Sequence, residues 1–171
     1  FTYIELMDKT TYLNHYYFIS ILSFLMIFLP ANSYFAIDSK LKGREFKKIP
    51  KWCTDCIKML LFIVYFYSGL AKLNSDWLIE AQPLKIWLTS SYDLPIIGST
   101  LMQQNWVHYV MSWGGMFYDL FIAFLLLYSR TRIFAFFLVV FFHLFTAILF
   151  PIGMFPYIMI VGSLIFFKPE T

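Results

Sequence analysis

The sequence predicts an all-α fold, a polytopic transmembrane bundle of hydrophobic helices, and two observations carry this prediction. Of the 171 residues, 60% are hydrophobic and only 13% are charged, about half the usual share of roughly 25%. A soluble domain of this size would need more polar surface to meet water. The second observation is that residues 10–37, 94–118 and 133–167 contain no Asp, Glu, Lys or Arg and are continuously apolar, as in helices.

Five hydrophobic helices follow from the apolar runs, near residues 11–37, 53–73, 104–129, 132–150 and 153–167. A helix rises about 1.5 Å per residue and the hydrocarbon core is about 30 Å thick, so the first run fits one tilted span. The last run is too long for one crossing, and Pro151 and Gly153 divide it. Residues 76–103 are mixed, and we expect an interfacial segment there with one short amphipathic helix near 84–88.

Basic residues in the loops predict which side of the membrane each helix end faces. The loop after the first helix is rich in basic residues, namely Lys40, Lys42, Arg44, Lys47, Lys48 and Lys51. Short loops with such an excess stay in the cytoplasm. Arg130, Arg132 and Lys168 then lie on the same side, in agreement with alternating traverses. The start of the first helix and the end of the second therefore face the non-cytoplasmic side.

Charge and cysteine content exclude several other classes of protein. The net charge is only +3, and the basic residues cluster at turns, which argues against a nucleic-acid partner. Two cysteines cannot build a disulfide-rich scaffold. Cys53 and Cys56 form one isolated pair with no histidine near in sequence, so we interpret them as structural and expect no metal site.

Four ionisable side chains in or beside the apolar runs stand out as candidates: His15, Lys72, Asp119 and His143. Such a residue at the centre of a membrane helix costs about 2.5–3.5 kcal/mol on insertion scales, so each needs a partner or a function. His15 and Lys72 lie near the outer ends of antiparallel helices, and His143 lies near mid-depth. We expect these three to converge on a cavity in the outer half of the membrane, with Asp119 apart and nearer the inside.

Each of these residues also has a purely structural interpretation. Lys72 could extend its amine to the membrane surface, as lysines near helix ends do. His15 could belong to an aromatic belt with its neighbouring tyrosines. His143 could be a neutral histidine hydrogen-bonded inside the bundle, and Asp119 could bond a Tyr or Trp of a neighbouring helix.

Ser68 and Gly69 favour the burial of Lys72. They precede it by four and three residues, on the same helical face, and small residues let helices approach closely. Burial removes solvation from an amine and favours its neutral form. A neutral amine can act as a general base, and a nearby histidine or asparagine can orient a hydroxyl or stabilise an oxyanion.

A collinear set of motifs extends through nearly the whole chain. It comprises Met7-Asp8-Lys9-Thr10, Asn14-His15, Ala31-Asn32 with Tyr34 and Asp38, Pro50, Trp52, the segment 62–77, Asp119, His143 and the segment 152–157. In order and spacing this set resembles the HTTM membrane domain of the vitamin K-dependent gamma-glutamyl carboxylase family. The composition, rich in Phe and Lys, suggests a non-animal member.

The resemblance implies an enzyme that oxygenates vitamin K hydroquinone to its epoxide and couples this step to carboxylation of glutamate in a protein or peptide. O2 and CO2 are the co-substrates. By resemblance, Lys72 is the catalytic base and His15 assists it, while Asn14, His15, His143 and Phe155 bind the quinone. A lipid-borne quinone would enter such a pocket from the bilayer, and apolar walls would exclude the water that quenches a strong base.

The sequence also departs from the family pattern. Ala71 stands where animal members carry a second lysine, and Thr146 where they carry asparagine. We interpret residues 1–171 as part of one membrane-embedded domain, without the family's N-terminal helices and C-terminal soluble domain. Quinone epoxidation without carboxylation, a transport or proton-relay module, and a non-catalytic membrane anchor are the alternatives. The lack of an inverted repeat disfavours transport.

Overall fold

The computed structural model describes residues 3, 7, 14–30, 37–42, 49–89 and 99–167, and every element in this part of the chain is a helix. The chain divides into two compact units, Phe1–Leu60 and Leu61–Thr171. The first unit holds α1 (Asn14–Phe28), α2 (Ile37–Lys42) and the beginning of α3 (Lys51–Ala71). The second holds the rest of α3, then α4 (Ser75–Leu78), α5 (Gln82–Thr89), α6 (Ser99–Met102), α7 (Asn105–Leu127), α8 (Arg132–Leu149) and α9 (Phe155–Ser163), which a 3-10 turn continues over Leu164–Phe166.

Three helices of the described residues are long and apolar enough to cross a membrane: α3, α7 and α8. They correspond closely to the second, third and fourth predicted helices, and the all-α prediction is confirmed. Helix α9 with its 3-10 turn is the predicted short fifth helix. The predicted break before it is also present, because Gly153 has a φ of 63°, which residues with a side chain rarely adopt.

The prediction of one long first helix over residues 11–37 is wrong in its second half. Helix α1 ends at Phe28, the chain turns at Leu29 and Pro30, and a separate helix begins at Ile37. Proline lacks a backbone N–H and disfavours helical geometry in the residue before it, so the helix stops there. Residues 11–13 and 31–36 lie outside the described residues, as do residues 43–48 of the basic loop and Lys168.

The predicted interfacial helix near 84–88 is α5, and the short helices α4 and α6 were not predicted. The side chain of Asn74 caps α4 by accepting a hydrogen bond of 2.9 Å from the amide of Trp77. Helices α4, α5 and α6 all pack on α7. An apolar cluster joins α5, α6, α7 and α8, and its buried members are Leu84, Leu88, Met102, Val107 and Leu149.

Apolar side chains form both the core and much of the outer surface of the second unit. Helix α7 packs against α8, and α8 against α9. The largest fully buried apolar side chains include Leu61, Ile122, Leu126, Val139, Met159 and Phe166. Phenylalanines on the opposite faces are nevertheless more than half exposed, as at Phe121, Phe134, Phe137 and Phe141. Such an extended apolar surface suits contact with lipid.

Gly69 determines how closely α3 approaches α7. A Cβ at Gly69 would lie 2.8 Å from the backbone nitrogen of Leu120, and this distance is too short for any residue with a side chain. The prediction that small residues here permit close helix contact is confirmed. The contact places the end of α3 beside the middle of α7, which continues about 20 Å further towards Asn105. Helix α4 packs along that additional length.

Candidate functional site

Lys72 and Asp119 form an ion pair between the end of α3 and the middle of α7. The Lys72 Nζ lies 2.5 Å from the Asp119 Oδ2, and the two side chains are only 18% and 9% exposed. Nζ also donates to the Ser68 Oγ at 2.8 Å, and this hydroxyl donates in turn to the Asp119 Oδ2 at 2.8 Å. Lys72, Asp119 and Ser68 are therefore all in mutual contact, and we call them the polar triad.

The prediction that Asp119 lies apart from Lys72 is wrong. That prediction assumed that the two helices have their outer ends at the same depth in the membrane, and it counted residues from those ends. The close approach at Gly69 instead offsets the two antiparallel helices, so the last turn of α3 meets the middle of α7. The expected partners of Lys72 were histidines, and the observed partner is a carboxylate, which supplies a counter-charge for an ammonium.

Trp77 lies over the amine of Lys72. The Lys72 Nζ is 5.3 Å from the centroid of the indole ring, within the range of a cation–π contact. The indole Nε1 donates to the Ser112 carbonyl at 2.8 Å, and the Ser112 Oγ donates to the Trp77 carbonyl at 2.5 Å. The Trp113 Nε1 donates to the Leu78 carbonyl at 3.0 Å. These bonds fix α4 on α7 and argue against an amine that extends into water.

His143 lies in an aromatic group next to the polar triad. Its Nδ1 is 2.9 Å from the Val139 carbonyl and 3.4 Å from the hydroxyl of Tyr118, the residue that precedes Asp119. Because a carbonyl only accepts, the bond to Val139 places a hydrogen on Nδ1. The Phe155 ring centroid is 6.2 Å from that of His143, so these two predicted residues are neighbours.

Tyr65 joins α3 to the same aromatic group. Its ring centroid lies 6.0 Å from that of His143 and 6.1 Å from that of Tyr118, in edge-to-face arrangements. The side chain is 2% exposed, yet its hydroxyl has no hydrogen-bond partner among the described residues. A buried hydroxyl without a partner is costly, and such groups are uncommon in folded proteins. The sequence indicated nothing special about Tyr65, one tyrosine among twelve.

The remaining predicted residues lie in the first unit. The His15 ring packs edge-to-face on Tyr16, with centroids 4.6 Å apart. Asn14 begins α1, and its side chain lies outside the described residues. The convergence of Asn14 and His15 on Lys72 therefore stays a prediction.

His108 is a buried histidine that the sequence reasoning missed. It is 1% exposed, its Nε2 lies 2.7 Å from the Met102 carbonyl, and its Nδ1 has no partner in the described part of the chain. The signal was available, because His108 lies in the uncharged run 94–118. Its bond to Met102 joins α7 to α6, and within the described ranges no hydrogen bond, ion pair or ring contact links His108 to the polar triad.

The beginning of α3 carries the other polar features. Cys53 and Cys56 are free thiols, and no three metal-ligating side chains cluster among the described residues. Asp55 and Lys58 form an ion pair at 3.8 Å, with side chains 47% and 23% exposed. This pair joins neighbouring turns of one helix, and in the described part of the chain neither residue has a distant hydrogen-bond or ion-pair partner.

The fold and the site define an α-helical membrane domain with a buried amine, a carboxylate and a histidine among aromatic rings. The family model described as the HTTM domain matches residues 1–170. The chain therefore belongs to the HTTM domain family, and this domain is found in the vitamin K-dependent gamma-glutamyl carboxylase family. No solved structure matches the chain. The family and the three long apolar helices fit an integral membrane protein.

Proposed function

We propose that this protein is a vitamin K-dependent gamma-glutamyl carboxylase-like enzyme in which Lys72 takes the proton of the hydroquinone. One observation carries the proposal: in an HTTM domain, a lysine amine is held between two apolar helices in contact with a carboxylate. An ionisable group in such surroundings is costly and commonly marks a functional site. The amine is also held in place by its hydrogen bonds, which proton transfer from a bound substrate requires.

The aromatic group of the second unit offers apolar contact to a flat ring. The ring centroids of Tyr65 and Phe155 lie 6.0 and 6.2 Å from that of His143, and we propose that these rings contact the quinone and that the Tyr65 hydroxyl bonds one ring oxygen. When bound, the hydroquinone would supply four electrons to O2, so that one oxygen atom enters the epoxide, the other leaves as water, and a strong base becomes available. That base is proposed to remove a glutamate γ-proton, and CO2 then adds to the carbanion.

The chain's own residues have three tasks in this scheme. Lys72 takes a hydroxyl proton at its Nζ, which Asp119 and Ser68 hold in place. The aromatic side chains keep water away from the base. We propose that Asn14 and His15 complete the quinone site, that the site faces the non-cytoplasmic side, that a glutamate-containing protein or peptide is the partner, and that no metal takes part.

Epoxide formation by the protein in detergent micelles tests the proposal, with vitamin K hydroquinone, O2 and CO2 supplied. We expect Lys72→Ala to lower the rate by about 10²-fold or more, the typical contribution of a positioned base. Lys58→Ala is the matched control, because it removes a partly exposed lysine of α3 whose ion pair stays within that helix. A small primary amine should restore part of the Lys72→Ala activity. A full rate in Lys72→Ala contradicts the proposal.

Labelled CO2 and a glutamyl peptide separate the carboxylase from its first alternative. Label in the peptide together with epoxide formation is the expected result. Epoxide without labelled peptide would make the protein a quinone epoxidase and would leave the role of Lys72 intact.

A proton-relay module is the second candidate, because Tyr118 directly precedes Asp119 in α7 and its hydroxyl lies 3.4 Å from the His143 Nδ1. Proton flux into liposomes that stops in both His143→Ala and Asp119→Asn would favour this function. We expect no such flux, since inverted repeats were not found.

A further inference from the structure

We propose that Asp119 is the final acceptor of the hydroquinone proton and that Lys72 relays this proton to it. The inference rests on the proposed function and deepens it, because it assigns a role to a residue that the sequence argument placed elsewhere. The hydrogen bonds around the Lys72 Nζ support this role.

The amine of Lys72 is fully engaged as a donor. Three acceptors lie around its Nζ: the Asp119 Oδ2 at 2.5 Å, the Ser68 Oγ at 2.8 Å and the Ser68 carbonyl at 3.3 Å. An ammonium has three N–H groups and no lone pair. In this arrangement Lys72 can take a proton from a substrate only if it gives one up. The charged acceptor in direct contact is the Asp119 carboxylate.

The transfer balances in atoms and charge. One N–H bond of Lys72 breaks, and its proton forms an O–H bond on the Asp119 Oδ2, which frees a lone pair on Nζ. In the same relay the O–H bond of the hydroquinone breaks, its proton forms a new N–H bond on Lys72, and no atom is oxidised or reduced. The site begins with an ammonium, a carboxylate and a neutral hydroquinone. It ends with an ammonium, a neutral carboxylic acid and a hydroquinone oxyanion.

This charge balance matters because the polar triad is shielded from water. Charges separated or created in a low-dielectric interior cost far more than in water. In the relay the negative charge moves from Asp119 to the substrate oxygen, and the Lys72 ammonium stays beside it throughout. Ser68 donates its hydroxyl hydrogen to the Asp119 Oδ2, and this bond holds the accepting oxygen toward the amine.

The test compares epoxide formation in Asp119→Asn and Asp119→Glu with that in Asp55→Asn. Asparagine keeps the shape and accepts a hydrogen bond from Lys72 but takes up no proton. We expect kcat to fall by about 10²-fold or more with KM nearly unchanged, because the proton acceptor is lost and substrate binding is not. Asp119→Glu should keep part of the activity. Asp55→Asn, in the exposed pair, should keep all of it.

Amine rescue provides the second variant. In Lys72→Ala/Asp119→Asn both charges of the pair are absent, so no unpaired charge is left to prevent folding. A small primary amine should restore epoxide formation in Lys72→Ala and fail to do so in the double variant. Equal rescue in both overturns the relay.

The two proposals fail in different ways. A wild-type kcat in Asp119→Asn beside an inactive Lys72→Ala overturns the relay and leaves the proposed function standing. Wild-type activity in both single variants overturns both.

Discussion

Among the described residues, helix α3 has one ion pair near its beginning and another just after its end, and the two differ in almost every physical respect. Asp55 and Lys58 are three residues apart, separated by 3.8 Å, and both side chains are partly exposed. Lys72 and Asp119 are 47 residues apart in sequence, in contact at 2.5 Å, and largely buried. The two lysines differ little in exposure, at 18% and 23%, whereas the carboxylates differ greatly, at 9% and 47%. A buried carboxylate from a second helix, and not the presence of opposite charges, therefore distinguishes the candidate site from a contact within one helix.

The physical reason is the solvation of the charge that remains when its partner is removed. At an exposed pair, water solvates the remaining charge, so the pair is worth only about 0.3–0.5 kcal/mol. At a buried pair, removal of one partner leaves a charge that neither water nor protein stabilises. The following changes test this difference between the two pairs, in order of decreasing expected effect on the protein.

Asp119→Ala should have the largest effect on stability. It leaves the Lys72 ammonium largely buried without a counter-charge, and we expect the free energy of unfolding to fall by about 3 kcal/mol. Asp55→Ala, the control, should lower it by about 0.5 kcal/mol or less. Unfolding in mixed SDS micelles, followed by tryptophan fluorescence, measures both. Similar small losses in the two variants would remove the distinction between the pairs.

Gly69→Ala should disturb the buried pair without changing any of its groups. The new Cβ would meet the backbone nitrogen of Leu120 at 2.8 Å, so α3 and α7 must move apart, at about 1–3 kcal/mol. We expect epoxide formation to fall as well, because Ser68 and Lys72 move away from Asp119. Gly114→Ala in α7 is the control, since nothing lies within 4 Å of its new Cβ. An equally stable and active Gly69→Ala would contradict the described helix contact.

Trp77→Leu should have an intermediate effect. The change removes the ring over the Lys72 amine and the 2.8 Å bond to the Ser112 carbonyl, together about 1–2 kcal/mol of unfolding free energy. Trp77→Phe keeps a ring and should lose less. Trp106→Leu, on the exposed face of α7, controls for loss of an indole. If the Trp106 variant is the less stable one, Trp77 does not fix α4 as described.

Salt should have the smallest effect and should act on one pair only. Raising ionic strength from about 0.05 M to about 0.5 M shortens the screening length and weakens interactions between exposed charges. The stability loss in Asp55→Asn should therefore shrink at high salt. The loss in Asp119→Asn should stay the same within error, because the Lys72 pair is shielded. Unfolding curves of both variants at the two salt concentrations provide the measurement.

The sequence predicted the long helices because their signal is local. Helices α3, α7 and α8 are apolar runs bounded by charges, and each was placed nearly correctly. The spacing of Ser68 and Gly69 before Lys72 also indicated burial of the amine. Pro30, embedded in an apolar run, was overlooked, and the first helix was therefore predicted too long.

The partner of Lys72 could not be predicted, because it depends on how far one helix is shifted along another. That shift follows from the close approach of Gly69 to Leu120 and from the packing of α4 on α7. Both are tertiary contacts that no periodicity reveals. Periodicity also could not single out Tyr65, because only the packing of the helices leaves its hydroxyl buried without a hydrogen-bond partner.

A double-mutant cycle on Lys72 and Asp119 measures directly whether these two side chains form a buried ion pair. The free energy of unfolding is measured in mixed micelles for the native protein, Lys72→Met, Asp119→Leu and the double variant. We predict a coupling energy of about 1–3 kcal/mol, as for residues in direct buried contact. The same cycle on Lys58 and Asp55 should give about 0.3–0.5 kcal/mol. A coupling of zero within error between Lys72 and Asp119 would contradict the buried ion pair and the site built on it.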